Sequence, residues 1–291
     1  MPYCWITFGS EGRREQTFKT DQDNGLILHD DAARSPQAAE YFRRFADFCR
    51  QALEQCGYPA CPGGYMASNP QWRMTLGDWK ARFSTWVESA TLREVQDAII
   101  FFDTRASGGD PALFAELDAH IRVLLRGGAF FKSVLAFASL NLRPPLGFFR
   151  KLVLERSGEH KHQLDLKLVG TGPIVNVARI FTLETASAEG PLPTNTTDRL
   201  QALIAARPDQ AALWKDLQDA FEFLMMLRLD LQLRQEREGR PLDSYVSPES
   251  FTHLQRTLLK EAFQTAARGQ AAMEEKFHSA IWMQLQSQTG L

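Results

Sequence analysis

The residues between two short apolar runs, Cys4-Trp5-Ile6-Thr7-Phe8 and Gly25-Leu26-Ile27-Leu28, constrain this chain more than any others. A Gly9-Ser10 pair follows the first run and gives way to a polar, basic stretch, Glu11-Gly12-Arg13-Arg14-Glu15-Gln16-Thr17-Phe18-Lys19-Thr20. Asp21-Gln22-Asp23-Asn24 then leads into the second run. In extended backbone, residues i and i+2 face the same side, so Asp21 and Asp23 converge on one small volume. Two converging carboxylates commonly hold Mg²⁺ against the phosphates of a nucleotide. A tight Gly-Ser turn presents backbone N–H groups, and the Ser10 hydroxyl, to those phosphates.

Asp-Gln-Asp-Asn-Gly is also good turn chemistry, and most Asp-x-Asp pairs in loops are solvated. Two other ion or phosphate motifs are excluded. A calcium loop beginning at Asp21 needs Gly at its sixth position and Glu at its twelfth, where Leu26 and Ala32 stand. A P-loop needs Gly-Lys-Ser/Thr, which does not follow Gly9. The Gly-Ser turn, the flanking apolar runs and the basic residues between them together favour a nucleotide–metal site over an inert turn.

A chain of 291 residues, 44% of them apolar, can bury a large core and predicts two domains, 1–112 and 113–291. A net charge of −2 gives no basic field for nucleic acid, which makes a polymerase acting on nucleic-acid ends the weakest reading. No apolar run reaches bilayer length, and no basic n-region leads into a signal-like segment, so no membrane association and a cytoplasmic location are expected. The four cysteines, Cys4, Cys49, Cys56 and Cys61, complete no zinc pattern and are expected to be reduced, partly buried thiols.

Farther along, Ser35-Pro36 starts a helix and Gly57-Tyr58-Pro59 ends it. A short strand is expected near Tyr65-Met66, then a helix over 75–89 that buries Trp79 and Trp86. Ala98-Ile99-Ile100-Phe101-Phe102 predicts a core strand ending at Asp103, where a third carboxylate could stand beside Asp21 and Asp23. Asp110-Pro111 starts another helix. From there the pattern is mostly helical, with a β-hairpin expected over 151–155 and 163–168. A helix carrying Arg179 is expected to run to about residue 186, with Thr194-Asn195-Thr196-Thr197 capping the next. Leu213, Leu217, Phe221, Leu224, Leu227 and Leu231 form one long apolar stripe, and Met273, Phe277, Ile281 and Leu285 another. Two such helices joined by a short loop predict a helical bundle.

The motif Gly-Ser-x-Gly-Arg-Arg-Glu-Gln, with Asn69-Pro70-Gln71-Trp72, Asp103-Thr104-Arg105 and Leu164-Asp165-Leu166-Lys167, resembles the bacterial nucleotidyltransferase family catalogued as DUF294. That family is similar to the N-terminal part of the uridylyltransferase that modifies the nitrogen-regulatory PII protein. The resemblance implies an α/β nucleotidyltransferase domain, a small mixed sheet with helices, followed by a mostly helical domain that holds the acceptor, with Lys167 and Arg179 expected at the cleft. It implies transfer of NMP from an NTP to a protein or small-molecule acceptor, with pyrophosphate released and two Mg²⁺ ions as cofactors. Asp21, Asp23 and Asp103 would be the catalytic metal ligands, Gly9 and Ser10 the phosphate turn, and Arg13, Arg14 and Lys19 partners of the outer phosphates. Relatives often carry cyclic-nucleotide-binding or CBS domains upstream, so a longer form with sensory domains is one expectation. A nucleotide-binding regulatory module without turnover is the alternative.

Overall fold

Half-exposed and buried residues alternate along Tyr3-Cys4-Trp5-Ile6-Thr7, and this segment forms strand β1 (Tyr3–Thr7). It lies at the interior of a mixed sheet of order β3-β2-β1-β4, with β2 spanning Asn24–Leu28, β3 Arg73–Thr75 and β4 Arg105–Gly109. β1 and β2 are antiparallel, pairing Tyr3 with Leu28 and Thr7 with Asn24. β3 runs parallel to β2, and β4 antiparallel to β1 with an irregularity between Trp5 and Ile6. The computed structural model describes residues 1–89, 94–95, 98–147, 152–185 and 190–289, with side chains to 277.

The chain divides into two units. The first comprises residues 1–16, 20–131 and 184–195, and the second 17–19, 132–183 and 196–291. In the first unit, α1 is a single turn (Gly9–Gly12) between β1 and the basic stretch. Helix α2 (Pro36–Gln55) begins where Ser35 accepts a hydrogen bond from the Ala38 amide and Pro36 supplies the fixed φ of a first turn. Helices α3 (Leu76–Ser89) and α4 (Pro111–Gly127) pack against each other, α4 capped by Asp110 through the Ala112 amide. Trp79 and Trp86 are core residues, and the Trp79 indole donates to the Leu26 carbonyl at 2.9 Å.

Two predicted strands are absent. Residues 65–66 are not a strand; the third strand is Arg73–Thr75. The run ending at Phe102, of which residues 96 and 97 lie outside the described residues, closes as a 3-10 turn over Ile99–Asp103, and β4 starts only after it. A short, fully apolar run does not distinguish strand from helical turn, and packing decides. Phe101 sits at the centre of an aromatic cluster, with ring centroids 4.5 Å from Trp72, 4.6 Å from Phe8 and 5.0 Å from Trp86.

The second unit is mostly helical, as the pattern predicts. Helix α5 (Ala129–Ser139) begins at the division between the units. Helix α6 (Gly172–Glu184) is buried from Pro173 through Leu183. Helix α8 (Ala211–Arg237) packs against both α7 (Thr196–Ala206) and α9 (His253–Thr289). Of the predicted stripe on α8, Leu217, Phe221, Leu224 and Leu227 are buried, whereas Leu213 and Leu231 are half-buried and Trp214 takes the core position. The Phe181 ring meets Trp214 edge-on at 4.8 Å and Phe277 at 5.7 Å. On α9, Met273 and Phe277 are buried; the side chains of Ile281 and Leu285 lie outside the described residues.

The predicted hairpin is only a turn, and its residue 151 lies outside the described residues. Glu155 exchanges backbone hydrogen bonds with His162 and Gln163, but strand β5 (Leu164–Asp165) pairs with β6 (Tyr245–Val246) instead. From Leu166 the chain turns into a π-helix to Thr171, because the Asp165 carboxylate accepts from the Lys167 and Leu168 amides and caps it. The predicted end of α6 near residue 186 also lies outside the described residues. The continuous helical stretch Leu166–Glu184 does reach bilayer length, with a mean hydropathy of 1.2, but 78% of it is buried within the protein. It has the character of a core helix.

Candidate active site

Gln22, between the two carboxylates, shows how the local sequence orients them. Its side chain is buried and donates to the carbonyls of Tyr58 at 2.8 Å and Arg50 at 3.1 Å. Its amide donates to the Pro59 carbonyl, and Gln22 forms a parallel bridge with Ala60. With Gln22 facing inward, alternation turns Asp21 and Asp23 to the other side together. The Asp23 carbonyl accepts from the Phe8 amide at 2.9 Å, which ties the pair to the end of β1.

The turn α1 lies against this pair. Gly9 has φ +54°, and a Cβ there would lie 3.3 Å from Asp23 Oδ2, so bare backbone borders the carboxylate. At the other end of the turn, a Cβ on Gly12 would overlap the Asp103 carbonyl oxygen at 1.7 Å. The turn is also held from 182 residues away in sequence. Thr194 donates to the Gly12 carbonyl and the Asn195 side chain to the Arg13 carbonyl, each at 2.9 Å. Thr194 and Asn195 stand just ahead of Thr196, where α7 begins as expected, and they also secure the glycine turn.

Asp21, Asp23 and Cys61 each offer a ligand atom, and these atoms lie within 4.8 Å of one another. Cys61 had no metal-binding pattern in sequence; the pairing of Gln22 with Ala60 brings it here. All four cysteines are free thiols. Burial pushes the Cys61 thiol up to about 11, and a hydrogen bond to the Asp23 carboxylate adds to that.

Asp103 is not in that group. It is fully buried, and its Oδ2 accepts from Arg13 Nη1 at 2.5 Å. The same guanidinium donates from Nε to Glu15 at 2.6 Å. Burial opposes the Arg13 charge, but Asp103 and then Glu15 outweigh it and raise its pKa. Two residues expected at metal and phosphate are thus bonded to each other. Arg14 is exposed with φ 58°, and Ser10 is half-buried in the turn. Lys19 is exposed and belongs to the second unit, its amide donating to Gln232 Oε1 at 3.2 Å. Near it, Arg228 donates to the Thr17 hydroxyl at 3.1 Å. Lys167 is exposed, and Arg179 is buried with its guanidinium on Asn176 at 2.7 Å.

Glu11, inside the turn, is a further acidic residue not singled out in sequence. Burial pushes its carboxyl up to about 7, with Arg105 pulling against the shift and the Asp23 carboxylate adding to it. The folded state therefore binds this proton more tightly than the unfolded chain does. Glu11 costs stability as pH rises from its ordinary 4.5 to about 7 and the cost is constant above. In metal-free protein, Glu11→Gln should match wild type below pH 4.5 and exceed it above pH 7, by on the order of 1–2 kcal/mol after solvent screening. Thermal melts across this range check it; a pH-independent difference would contradict the assignment.

A small mixed sheet, a glycine turn and an Asp-x-Asp pair just ahead of the next strand, together with a separate, mostly helical unit, define a nucleotidyltransferase-type protein. Residues 1–94 match the family described as "Putative nucleotidyltransferase DUF294". Residues 129–277 match its companion, "Putative nucleotidyltransferase substrate binding domain". The chain belongs to this DUF294 nucleotidyltransferase family. No curated protein matches it.

Proposed function

We propose that this protein transfers NMP from an NTP to a protein or small-molecule acceptor in a divalent-metal-dependent reaction. The observation that carries the reading is the convergence of Asp21 and Asp23 beside the bare backbone of Gly9. The donor set suits a divalent cation, since two carboxylate oxygens meet where Gly9 of the adjoining turn presents no side chain. Bound there, Mg²⁺ would screen the phosphates and stabilise charge on the attacking and leaving oxygens; two ions are the expected number. The acceptor oxygen attacks the α-phosphorus, the bond to the β-phosphate breaks, and pyrophosphate leaves.

In this reading Asp21 and Asp23 hold the cation, and the Gly9-Ser10 turn meets phosphate oxygens through its first amides, which have no intrahelical acceptor. Arg14, in the same unit, serves the outer phosphates. Arg13 positions Asp103, whose role as third carboxylate then depends on that pairing. The first unit is the catalytic part, and residues 129–277 hold the acceptor, as the family description suggests. A cytoplasmic location fits the nucleotide substrate.

The engagement of Asp103 by Arg13 favours one second reading, a nucleotide-binding module without turnover. One experiment separates the two. Each NTP with Mg²⁺ is tested for thermal stabilisation; at a hundredfold excess over Kd the shift corresponds to about 2.7 kcal/mol. The same labelled NTPs are then incubated with cell lysate, and label is sought on protein and on small molecules. Stabilisation with label transfer supports the enzyme, stabilisation without transfer supports the module, and neither sinks both.

A further inference from the structure

Cys61 distinguishes this carboxylate pair from one built for a hard cation alone. Mg²⁺ takes oxygen ligands, keeps several of its waters and gains nothing from a thiol. Zinc and cadmium gain a great deal, because thiolate sulfur suits softer cations. We propose that Asp21, Asp23 and Cys61 form a mixed oxygen–sulfur site for a thiophilic divalent cation of the zinc or cadmium class, which competes with the cation of nucleotidyl transfer. The competition rests on the functional reading above; the site itself rests on geometry.

Three features of the fold carry it. The first is distance. A tetrahedral zinc with ligand bonds of roughly 2.0–2.3 Å sets its donors about 3.3–3.8 Å apart. The three donor atoms already lie within 4.8 Å, so side-chain rotation of about 1 Å closes the set. The second is placement. Cys61 is held on a segment that adjoins the carboxylates through the Gln22–Ala60 bridge, and its carbonyl accepts from the Gly64 amide at 3.0 Å. Thiol and carboxylates therefore come from two segments joined at that bridge, which lowers the ordering cost of bringing them to one ion. The third is direction. The Cys61 side chain, only 9% exposed, is hydrogen-bonded to Asp23 rather than facing solvent as Cys56 does.

On binding, the cation replaces the thiol proton, which passes to solvent; one sulfur–metal bond forms and one S–H bond breaks, with no change of oxidation state. Two carboxylates and a thiolate then outweigh the charge of the ion, so such a cation would leave slowly. Soft metal would shut the transfer reaction by occupying the position its hard cation needs.

The test uses the full chain carrying Cys49→Ser and Cys56→Ser, so that the two more accessible thiols are gone and Cys4 stays fully buried. Cadmium alone is titrated in the absence of nucleotide, and the thiolate-to-cadmium charge-transfer absorption in the ultraviolet is followed. The expected result is a saturating band that Cys61→Ser removes. Asp21→Asn keeps the thiol but should weaken cadmium binding on the order of tenfold or more. Circular dichroism of each variant confirms the fold. A band that survives Cys61→Ser overturns the proposal. So does a band whose affinity is indifferent to Asp21→Asn, which marks an isolated thiol. Stabilisation of the same parent by NTP with Mg²⁺, measured separately, judges the functional reading. If it is absent while cadmium still requires Cys61 and Asp21, the reading falls and the mixed site stands. If it is present and cadmium ignores Asp21, the reverse holds. Suppression of the nucleotide-induced shift by cadmium is the expected sign of competition, and additive shifts would refute it.

Discussion

Asp21→Asn should lower nucleotidyl transfer by on the order of a hundredfold to a thousandfold while leaving the protein folded. The substitution keeps the side-chain shape but removes one of two carboxylates that the strand alternation directs to a common point. Interactions that stabilise developing charge at a reacting centre are typically worth this much in rate. Without metal, Asp21 and Asp23 repel each other, so the variant should melt no lower than wild type in the presence of a chelator. Adding NTP with Mg²⁺ should then stabilise wild type clearly more than the variant. Labelled transfer and paired thermal melts check both halves. Equal ligand-induced shifts, or transfer within a few-fold of wild type, would mean that Asp21 holds no metal and that the motif is the solvated turn its composition also allows.

Gly12→Ala should destabilise the first unit severely, by about 3 kcal/mol or more, and so deprive the cell of soluble protein. The added methyl would lie 1.7 Å from the Asp103 carbonyl oxygen and 2.9 Å from that of Thr7, and backbone cannot rotate away as a side chain can. The turn α1 would have to lift off the 99–103 segment, pulling Arg13 from Asp103. Gly127→Ala is the control, since a Cβ there meets nothing within 4 Å. It should be neutral or slightly stabilising at the end of its helix. Thermal unfolding of the two variants side by side decides it; wild-type stability for Gly12→Ala would show that the turn accommodates a side chain after all.

Where the chemistry is local, the sequence was a good guide. The Asp21–Asp23 alternation, the Ser35-Pro36 and Asp110-Pro111 helix starts and the α8 stripe all rest on periods and caps set within a few residues. What lies beyond that range was not legible. Ile99-Ile100-Phe101-Phe102 reads equally as strand or turn, and only the surrounding rings of Phe8, Trp72 and Trp86 choose. Cys61 reaches the carboxylates because Gln22 pairs with Ala60, a contact between segments without a shared periodic signal. Arg13 reads as a phosphate partner by its place in a basic run, and nothing in that run points to the Asp103 carboxylate it meets 90 residues away. Glu11 was the nearest to being readable, being inside the signature, but its significance comes from burial.

Thr194 and Asn195 give the molecule a constraint that bears on how it can be cut and recombined. A fragment of residues 1–131 carries the carboxylate pair, Cys61 and the glycine turn, yet lacks the two side chains that grip the Gly12 and Arg13 carbonyls. In the ribosome's order of synthesis, the turn is made early and its clamp emerges some 180 residues later. Until then the Gly12 and Arg13 carbonyls lack these two donors. The motif that names the family can thus be encoded in the first tenth of the chain and still be completed by a segment from its second half, so gene fusions that exchange the helical portion must bring a matching clamp with it.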